Sequence, residues 1–422
     1  MDRLNLKHTR VLVIADDFTG ALDTGIQFSD YSNSVSIISE LKEDASTLCD
    51  VIIYDAETRH KTSIETQIIM RKIIQWAIKR DVTHIYMKTD SALRGNIGAE
   101  LGALCEDWTK TTLVFAPAYP EMDRITKNGI QYIDQVPVAE SVFGNDLFDP
   151  VRHSSITEII GETSQVDVFL SNIPLSNNEI QRRGVSLFDA ATSKDLEHIA
   201  EWAVKNNLNC FAGCAGFAKT IAKYLLGHYQ LKREIQPKGK LLAVCGSINP
   251  ITLEQIHVAK AAGVPCVKLF REEILHHRLN CEKKEWLVKQ WANLLDEKNA
   301  LIFCVADENR KSGIGASDYT IGKEISEGLA DVTKAVLDYN LSPVLFCTGG
   351  DTFFSVIQKL HVEKITPTRE VFPGVVLMTA KYRGNTLQII SKAGGFGSSN
   401  LLLELLNMLQ EKKGGKTNEL NK

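Results

Sequence analysis

The chain is as informative for what it lacks as for what it holds. No apolar run approaches the roughly 20 residues that a membrane helix needs. The opening MDRLNLKHTR is polar and the apolar run after it ends in Asp16-Asp17, which is not the pattern of a secretory leader. There is no Cys-x-x-Cys pair. The nine cysteines are scattered, and most sit inside apolar runs such as Ala243-Val244-Cys245, so reduced core cysteines in a cytoplasmic protein are the expectation. The ten histidines lack metal-ligand spacing, and no metal site built from protein ligands is expected. Excess charge of either sign is also missing. With 48 basic and 52 acidic side chains the net charge is −4, which gives no global field to draw nucleic acid or an anionic membrane.

Several nucleotide and hydrolase signatures are absent as well. There is no Gly-x-Gly-x-x-Gly and no Gly-x-Ser-x-Gly. Gly414-Gly415-Lys416-Thr417 imitates the end of a P-loop, but Gln410 stands where its first glycine belongs and no strand precedes it.

What is present is an ordinary globular composition, 44% apolar and 24% charged, in 422 residues. That length is too great for one core. Short β-rich runs alternate with amphipathic stretches. Strands are expected at Val11–Ala15, Val35–Ser39, Val51–Asp55, His84–Lys88, Thr112–Ala116, Asp167–Leu170 and Val185–Asp189, and a helix over Ile64–Lys79 from Ile68, Ile69, Ile73, Ile74 and Ile78. A charged stretch with Pro237 and Gly239 reads as a linker, and a second series starts at Leu241. It continues through Cys266–Phe270, Ala300–Val305, Pro343–Cys347, Val371–Val375 and a hairpin of 375–380 with 387–391. The expected class is α/β with two domains, each a mostly parallel sheet flanked by helices: residues 1–235, residues 240–412, and a charged tail at 413–422.

Ligands of open α/β sheets bind at the carboxyl ends of the strands. Four strands of the first half deliver charge there. Asp16 and Asp17 follow the first, Asp55, Glu57, Thr58 and Arg59 the third, and Lys88, Asp90, Ser91 and Arg94 the fourth; Arg124 follows the fifth. One Asp at a strand end is usually a helix cap, but four loaded ends suit a ligand. Arg59, Lys88, Arg94 and Arg124 can neutralise an anion, while Asp16, Asp17 and Asp90 can accept hydrogen bonds from hydroxyls or take a hydroxyl proton. Together they suit a small, polyhydroxylated, anionic molecule such as a sugar acid. The second half offers glycine turns instead: Gly246-Ser247, Thr348-Gly349-Gly350-Asp351-Thr352 and Gly394-Gly395-Phe396-Gly397. Three such turns at strand-to-helix junctions read as a nucleotide-phosphate site.

Taken in order, Ile14-Ala15-Asp16-Asp17-Phe18-Thr19-Gly20-Ala21, Lys88-Thr89-Asp90-Ser91-Ala92-Leu93-Arg94-Gly95-Asn96, Ala116-Pro117-Ala118-Tyr119-Pro120, Gly246-Ser247, Thr348–Thr352 and Lys392–Gly397 resemble the four-carbon acid sugar kinase family over nearly the whole chain. The resemblance implies a sugar-acid-binding first domain, a nucleotide-binding second domain, and ATP with Mg²⁺ as cofactors. It implies substrate contacts from the Asp16-Asp17 pair and the segment Asp90 to Asn96, Gly95 included. It implies nucleotide contacts from Ser247, Thr348, Gly349, Gly350, Asp351 and Gly394, with Gly395 beside them. Asp17 is the expected base for the attacking hydroxyl and Asp90 the second choice, with Arg59, Arg94 or Arg124 on the carboxylate of the acid. The Lys-Thr-Asp-Ser-x-Leu-Arg-Gly-Asn form resembles the threonate and erythronate kinases more than the 3-oxo-tetronate kinases. Neither nucleic acid nor membrane is expected as a partner, and a homodimer is the default for an enzyme of this size.

Overall fold

The structure, a computed structural model, describes residues 9–38, 40–41, 49–146, 149–227, 236–247, 249–269, 281–305, 317–339, 342–392 and 395–410. The tail expected at 413–422 and most of the expected linker lie outside these. The chain divides into two compact units. The first is Met1–Arg233 with the returning segment Glu363–Arg369; the second is Glu234–Val362 with Glu370–Lys422.

The first unit begins with β1 (Val11–Ala15), α1 (Phe18–Ser29), β2 (Val35–Ile38), β3 (Val51–Asp55), α2 (Ser63–Lys79), β4 (His84–Lys88), α3 (Ile97–Asp107) and β5 (Thr112–Ala116). Next come β6 (Arg124–Lys127), β7 (Ile130–Ile133), β8 (Val136–Pro137), α4 (Ile156–Gly161), β9 (Val168–Ser171), α5 (Asn177–Gln181), β10 (Gly184–Phe188), α6 (Ser193–Lys205), β11 (Cys210–Gly213) and α7 (Ala215–Leu226). Its main sheet runs β2-β3-β1-β4-β11-β5-β10-β9, all parallel, and Ile365 of the returning segment pairs antiparallel with Ile37 of β2. Strand β1 is buried at every residue, which explains its unbroken apolar run; a strand covered by helices on both faces has no polar side to show.

Helix α2 forms where periodicity placed it, started by a capping box of Thr62 and Glu65. Its buried face is Thr66, Met70, Ile73, Ile74, Trp76 and Ala77, while Ile68 and Ile78 of the expected stripe are 49% and 45% exposed. Two features went unexpected. Strand β11 lies between β4 and β5, but Cys-Phe-Ala-Gly is too short and too small to stand out. The small antiparallel sheet β6-β7-β8 was legible in Asn128-Gly129, whose φ values of 52° and 71° suit the tight hairpin turn that joins β6 and β7.

The second unit contains β12 (Leu241–Cys245), α8 (Pro250–Ala261), β13 (Cys266–Leu269), β14 (Ala300–Val305) and β15 (Val344–Thr348). It ends with the latter part of β16 (Ile365–Phe372), then β17 (Val375–Tyr382) and β18 (Asn385–Lys392). Helices Cys281–Lys298, Ser317–Leu337, Gly350–Lys359 and Leu401–Gln410 complete it. The order β13-β14-β12-β15-β18 is parallel, and β17 pairs antiparallel with β18 as the expected hairpin. The run expected as a strand at 371–375 is instead the end of β16, a Pro373-Gly374 turn and the start of β17; Gly374 has a φ of 71°, and proline has no amide hydrogen for a ladder. Eight cysteines, Cys49, Cys105, Cys210, Cys214, Cys245, Cys266, Cys304 and Cys347, are free, and of these all but Cys266 are buried. No helix among the described residues is long and apolar enough to cross a membrane.

Candidate active site

In the first unit, the parallel register sets Ala15 beside both Asp55 and Lys88. The carboxyl ends of β3, β1 and β4 therefore lie side by side, and the side chains just beyond them meet. Arg59 is their hub. Its Nε and Nη2 reach Asp16 Oδ2 at 2.8 and 2.7 Å, its Nη1 reaches Asp17 Oδ2 at 2.5 Å, and Nη2 lies 3.8 Å from Asp90 Oδ1. Asp90 is gripped from the other side by Arg94, Nε to Oδ2 at 2.8 Å and Nη2 to Oδ1 at 3.2 Å, with backbone N–H groups of Ala92 and Arg94 also donating to Oδ2. Arg94 reaches Asp146 as well, at 3.1 Å.

This arrangement sorts the carboxylates. Burial opposes the charge on Asp90, but Arg59 and then Arg94 outweigh it and hold the group far below the ordinary carboxylate range. Asp16 is 1% exposed, and burial pushes it up to about 6 against the pull of Arg59. Asp17 caps α1, its Oδ1 accepting the Gly20 N–H at 2.7 Å, and its side chain is 26% exposed, the most open of the three. A cap and a ligand group need not exclude each other, because each carboxylate oxygen keeps a free lone pair.

Among the arginines, Arg59 and Arg94 are held by carboxylates. Arg124 is not: one Nη donates to the Ser91 hydroxyl, and its Nε has no partner among the described residues. Arg94 and Arg124 both lie over the Phe143 ring, at 5.2 and 5.5 Å from its centre. Lys88 is buried at the strand end and donates to the Thr89 carbonyl at 2.9 Å. Gly95 and Asn96, expected on the substrate, have bracing contacts here. A Cβ on Gly95 would stand 3.3 Å from Arg59 Cγ, at a φ of 90°, so glycine lets this loop close on Arg59. The Asn96 amide donates to the carbonyls of Thr58 and Lys61 at 2.9 and 2.8 Å and so fixes the loop that carries Arg59.

In the second unit, Cys245 is in register with Thr348, and Thr348 with Lys392. Gly246 follows the first of these, and a Cβ on it would fall 1.9 Å from Thr352 Oγ1, so only glycine fits. Gly349 has a φ of 100° and begins helix Gly350–Lys359 with no side chain to cap it. The N-cap thus gives the first-turn N–H groups of that helix, among them those of Gly350 and Asp351, no side-chain acceptor, as at an anion site. The Gly349 turn closes on Ser247, whose backbone nitrogen would be 3.3 Å from an added Cβ. Among the described residues, Thr348 Oγ1 is buried without a partner, and an added Cβ on Gly395 would meet only Asn249 Nδ2, at 3.7 Å. Gly394 lies outside the described residues. An unpartnered hydroxyl, an uncapped helix start and an open glycine fit a nucleotide's phosphates.

Sequence reasoning missed Lys392 and Glu100. Lys392 is 2% exposed at the end of β18, and its ammonium donates to Thr252 Oγ1 at 3.0 Å and the Phe396 carbonyl at 3.2 Å; burial lowers it to about 8. It stood in the sequence as the first letter of a glycine motif. Glu100 is buried on α3, where its place in an apolar helix was the available signal.

Two family models cover most of the chain: a sugar-binding N-terminal domain over residues 11–221 and a nucleotide-binding C-terminal domain over residues 242–402. Among curated proteins, the D-threonate kinase of Salmonella typhimurium is 26% identical, covering 95% of this chain and 99% of its own. The D-erythronate kinase of Heliobacterium modesticaldum is 25% identical over 97% and 99%, and the 3-oxo-tetronate kinase of Haemophilus influenzae 24% over 92% and 97%. A solved Haemophilus influenzae structure superposes with a TM-score of 0.74 at 21% identity, over 94% of this chain and 100% of that one. That likeness concerns the fold.

Proposed function

The chain belongs to the four-carbon acid sugar kinase family, whose members use ATP to phosphorylate sugar acids, and we propose that this kinase phosphorylates the terminal hydroxyl of D-threonate or D-erythronate to give the 4-phosphate. The observation that carries the choice of acid site is the Arg59 hub. Three carboxylates able to accept hydroxyl hydrogens stand around one guanidinium, with Arg124 nearby keeping a donor unpartnered among the described residues.

Phosphoryl transfer asks a protein chiefly for positioning and charge neutralisation. Arg124 holds the carboxylate of the acid in this reading, supported by Arg94. Asp16 and Asp90 orient hydroxyls. Asp17 takes the proton of the attacking terminal hydroxyl, because it is the most open of the three carboxylates. Asp90 is the poorer base, since Arg94 and Arg59 stabilise its anion and so weaken its hold on a proton. In the second unit, backbone N–H groups at Gly350 and Asp351 and the Thr348 hydroxyl receive the phosphates beside Ser247 and Gly395. Among the described residues no three His, Cys, Asp or Glu side chains could hold a metal ion, so Mg²⁺ would take its ligands mainly from phosphate oxygens and water. It would neutralise the charge on those oxygens. A homodimer is the assembly we assign by size, and light scattering tests it.

The test is ADP release with Mg-ATP against D- and L-threonate, D- and L-erythronate, 3-oxo-tetronate and 4-hydroxythreonine. Turnover with D-threonate or D-erythronate supports the reading. Turnover confined to 3-oxo-tetronate or 4-hydroxythreonine replaces the substrate. ATP binding with no turnover on any acid would instead mark a sugar-acid sensor.

A further inference from the structure

Glu100 plays no part in the chemistry above, yet it lies fully buried behind it. It sits in the first turn of α3, where its N–H bonds the Asn96 carbonyl. Its Oε1 accepts the Thr58 hydroxyl at 2.6 Å, and its Oε2 has no donor among the described residues. Asp16 shows the matching deficit: Oδ2 takes Arg59, and Oδ1 is buried with no donor. Thr58 joins the two groups. Its hydroxyl holds Glu100, while its N–H and that of Arg59 bond the Asp16 carbonyl at 3.0 and 3.2 Å.

A fully buried carboxylate oxygen with no donor is costly as an anion, and a proton on Glu100 removes that cost. We propose that Glu100 carries a proton at neutral pH and is a positioning residue whose neutral form sets the charge of the sugar-acid site. This deepens the reading of the Arg59 hub as the acid's docking place and rests on it.

The charges at the hub support the neutral form. Asp16, Asp17, Asp90 and Asp146 stand against Arg59, Arg94, Lys88 and Arg124, four of each sign. A further carboxylate would leave the hub negative where an anion docks. Burial first, and then Asp16, push Glu100 up to about 8, with Thr58, Arg59 and Lys88 acting the other way. The other charges packed on α3 sit at its far end, where Arg183, before β10, donates to the Glu106 carbonyl at 2.9 Å. From the end of α4 the groups that approach are Ile160, Thr163 and Ser164, and Arg71 of α2 reaches only Glu106 and Asp107 at the far end of α3.

The sugar-acid site is then balanced between about pH 6, where Asp16 gains a proton, and about pH 8, and it is anionic above pH 8. In the wild type, KM for the acid should rise about tenfold per pH unit above that point, with kcat changing much less. Glu100→Gln should remove the rise, because its carbonyl still accepts from Thr58 and the side chain no longer titrates. Glu100→Ala should raise KM at every pH. An alkaline rise that persists in Glu100→Gln overturns the proposal. A second measurement needs neither a variant nor turnover. In wild-type protein carrying ¹³C-labelled glutamate carboxyls, one carboxyl should titrate near pH 8. If all of them titrate in the ordinary range near 4.3, the proton on Glu100 is refuted whatever the substrate. If one titrates near 8 while no four-carbon acid is turned over, the proton assignment stands and the functional reading falls.

Discussion

The pair of Asp90 and Arg94 offers a direct test of the hub. Arg94→Met removes the guanidinium and keeps most of the stem. Breaking a fully buried pair by removing one partner costs about 3–5 kcal/mol. Three features lower that figure here. Arg59 remains 3.8 Å from Asp90 Oδ1, the N–H groups of Ala92 and residue 94 still reach Oδ2, and the Arg94 side chain is 25% exposed, where water screens it. The expected loss is about 2–3 kcal/mol, or a fall of about 4–12 °C in the midpoint of the first unit. Scanning calorimetry of the wild type, Arg94→Met, Asp90→Asn and the double variant closes a cycle, whose coupling term should be about 1.5–3 kcal/mol. The pH dependence has a definite sign. Asp90 is held below its ordinary range, so its contribution is complete above about pH 4 and is lost as pH falls through the depressed folded value. The gap between wild type and Arg94→Met should therefore hold through neutral pH and close only in strong acid. A single-variant cost under about 0.5 kcal/mol, or additive single effects, would refute the clamp.

Three further outcomes follow from the same geometry. Asp17→Asn should lower kcat by about 10²–10⁴-fold with a modest change in KM for the acid, and full retention of kcat in steady-state assays would move the base elsewhere. Gly246→Ala places a methyl 1.9 Å from Thr352 Oγ1, so the thermal shift produced by ATP should shrink or vanish while the first unit's transition is unchanged. Lys392 is lowered by burial to about 8, so its cation is present below that pH and lost above it; calorimetric ATP affinity should fall as pH rises through 8, and Lys392→Met should bind ATP weakly and without that pH dependence.

Much of the molecule can be read along the chain because the signals are local. An unbroken apolar run such as Val11–Ala15 demands burial on both faces, and charge placed directly after four such runs marks a rim. The Asn128-Gly129 hairpin was equally local and was passed over. Other features depend on residues far apart in sequence. Helix periodicity gave α2 its place but not its face, because which isoleucines are covered depends on where α3 and the sheet lie. The exchange of Glu363–Arg369 into the first unit has no signature in those seven residues.

The sequence by itself determined the two α/β units, the charged strand ends and the glycine turns, since hydrophobic period and turn chemistry are properties of neighbouring residues. Only the tertiary structure decided what those charges do. Parallel register brought β3, β1 and β4 to one line, and Arg59 then met Asp16, Asp17 and Asp90 across 43, 42 and 31 positions of chain. Of the site's four basic side chains, that meeting leaves Arg124 with a donor unpartnered among the described residues, and it leaves Glu100 buried behind the hub. A carboxylate's charge state depends on burial and on the charges within a few ångströms, and both are set by the packing of strands that are remote in the chain.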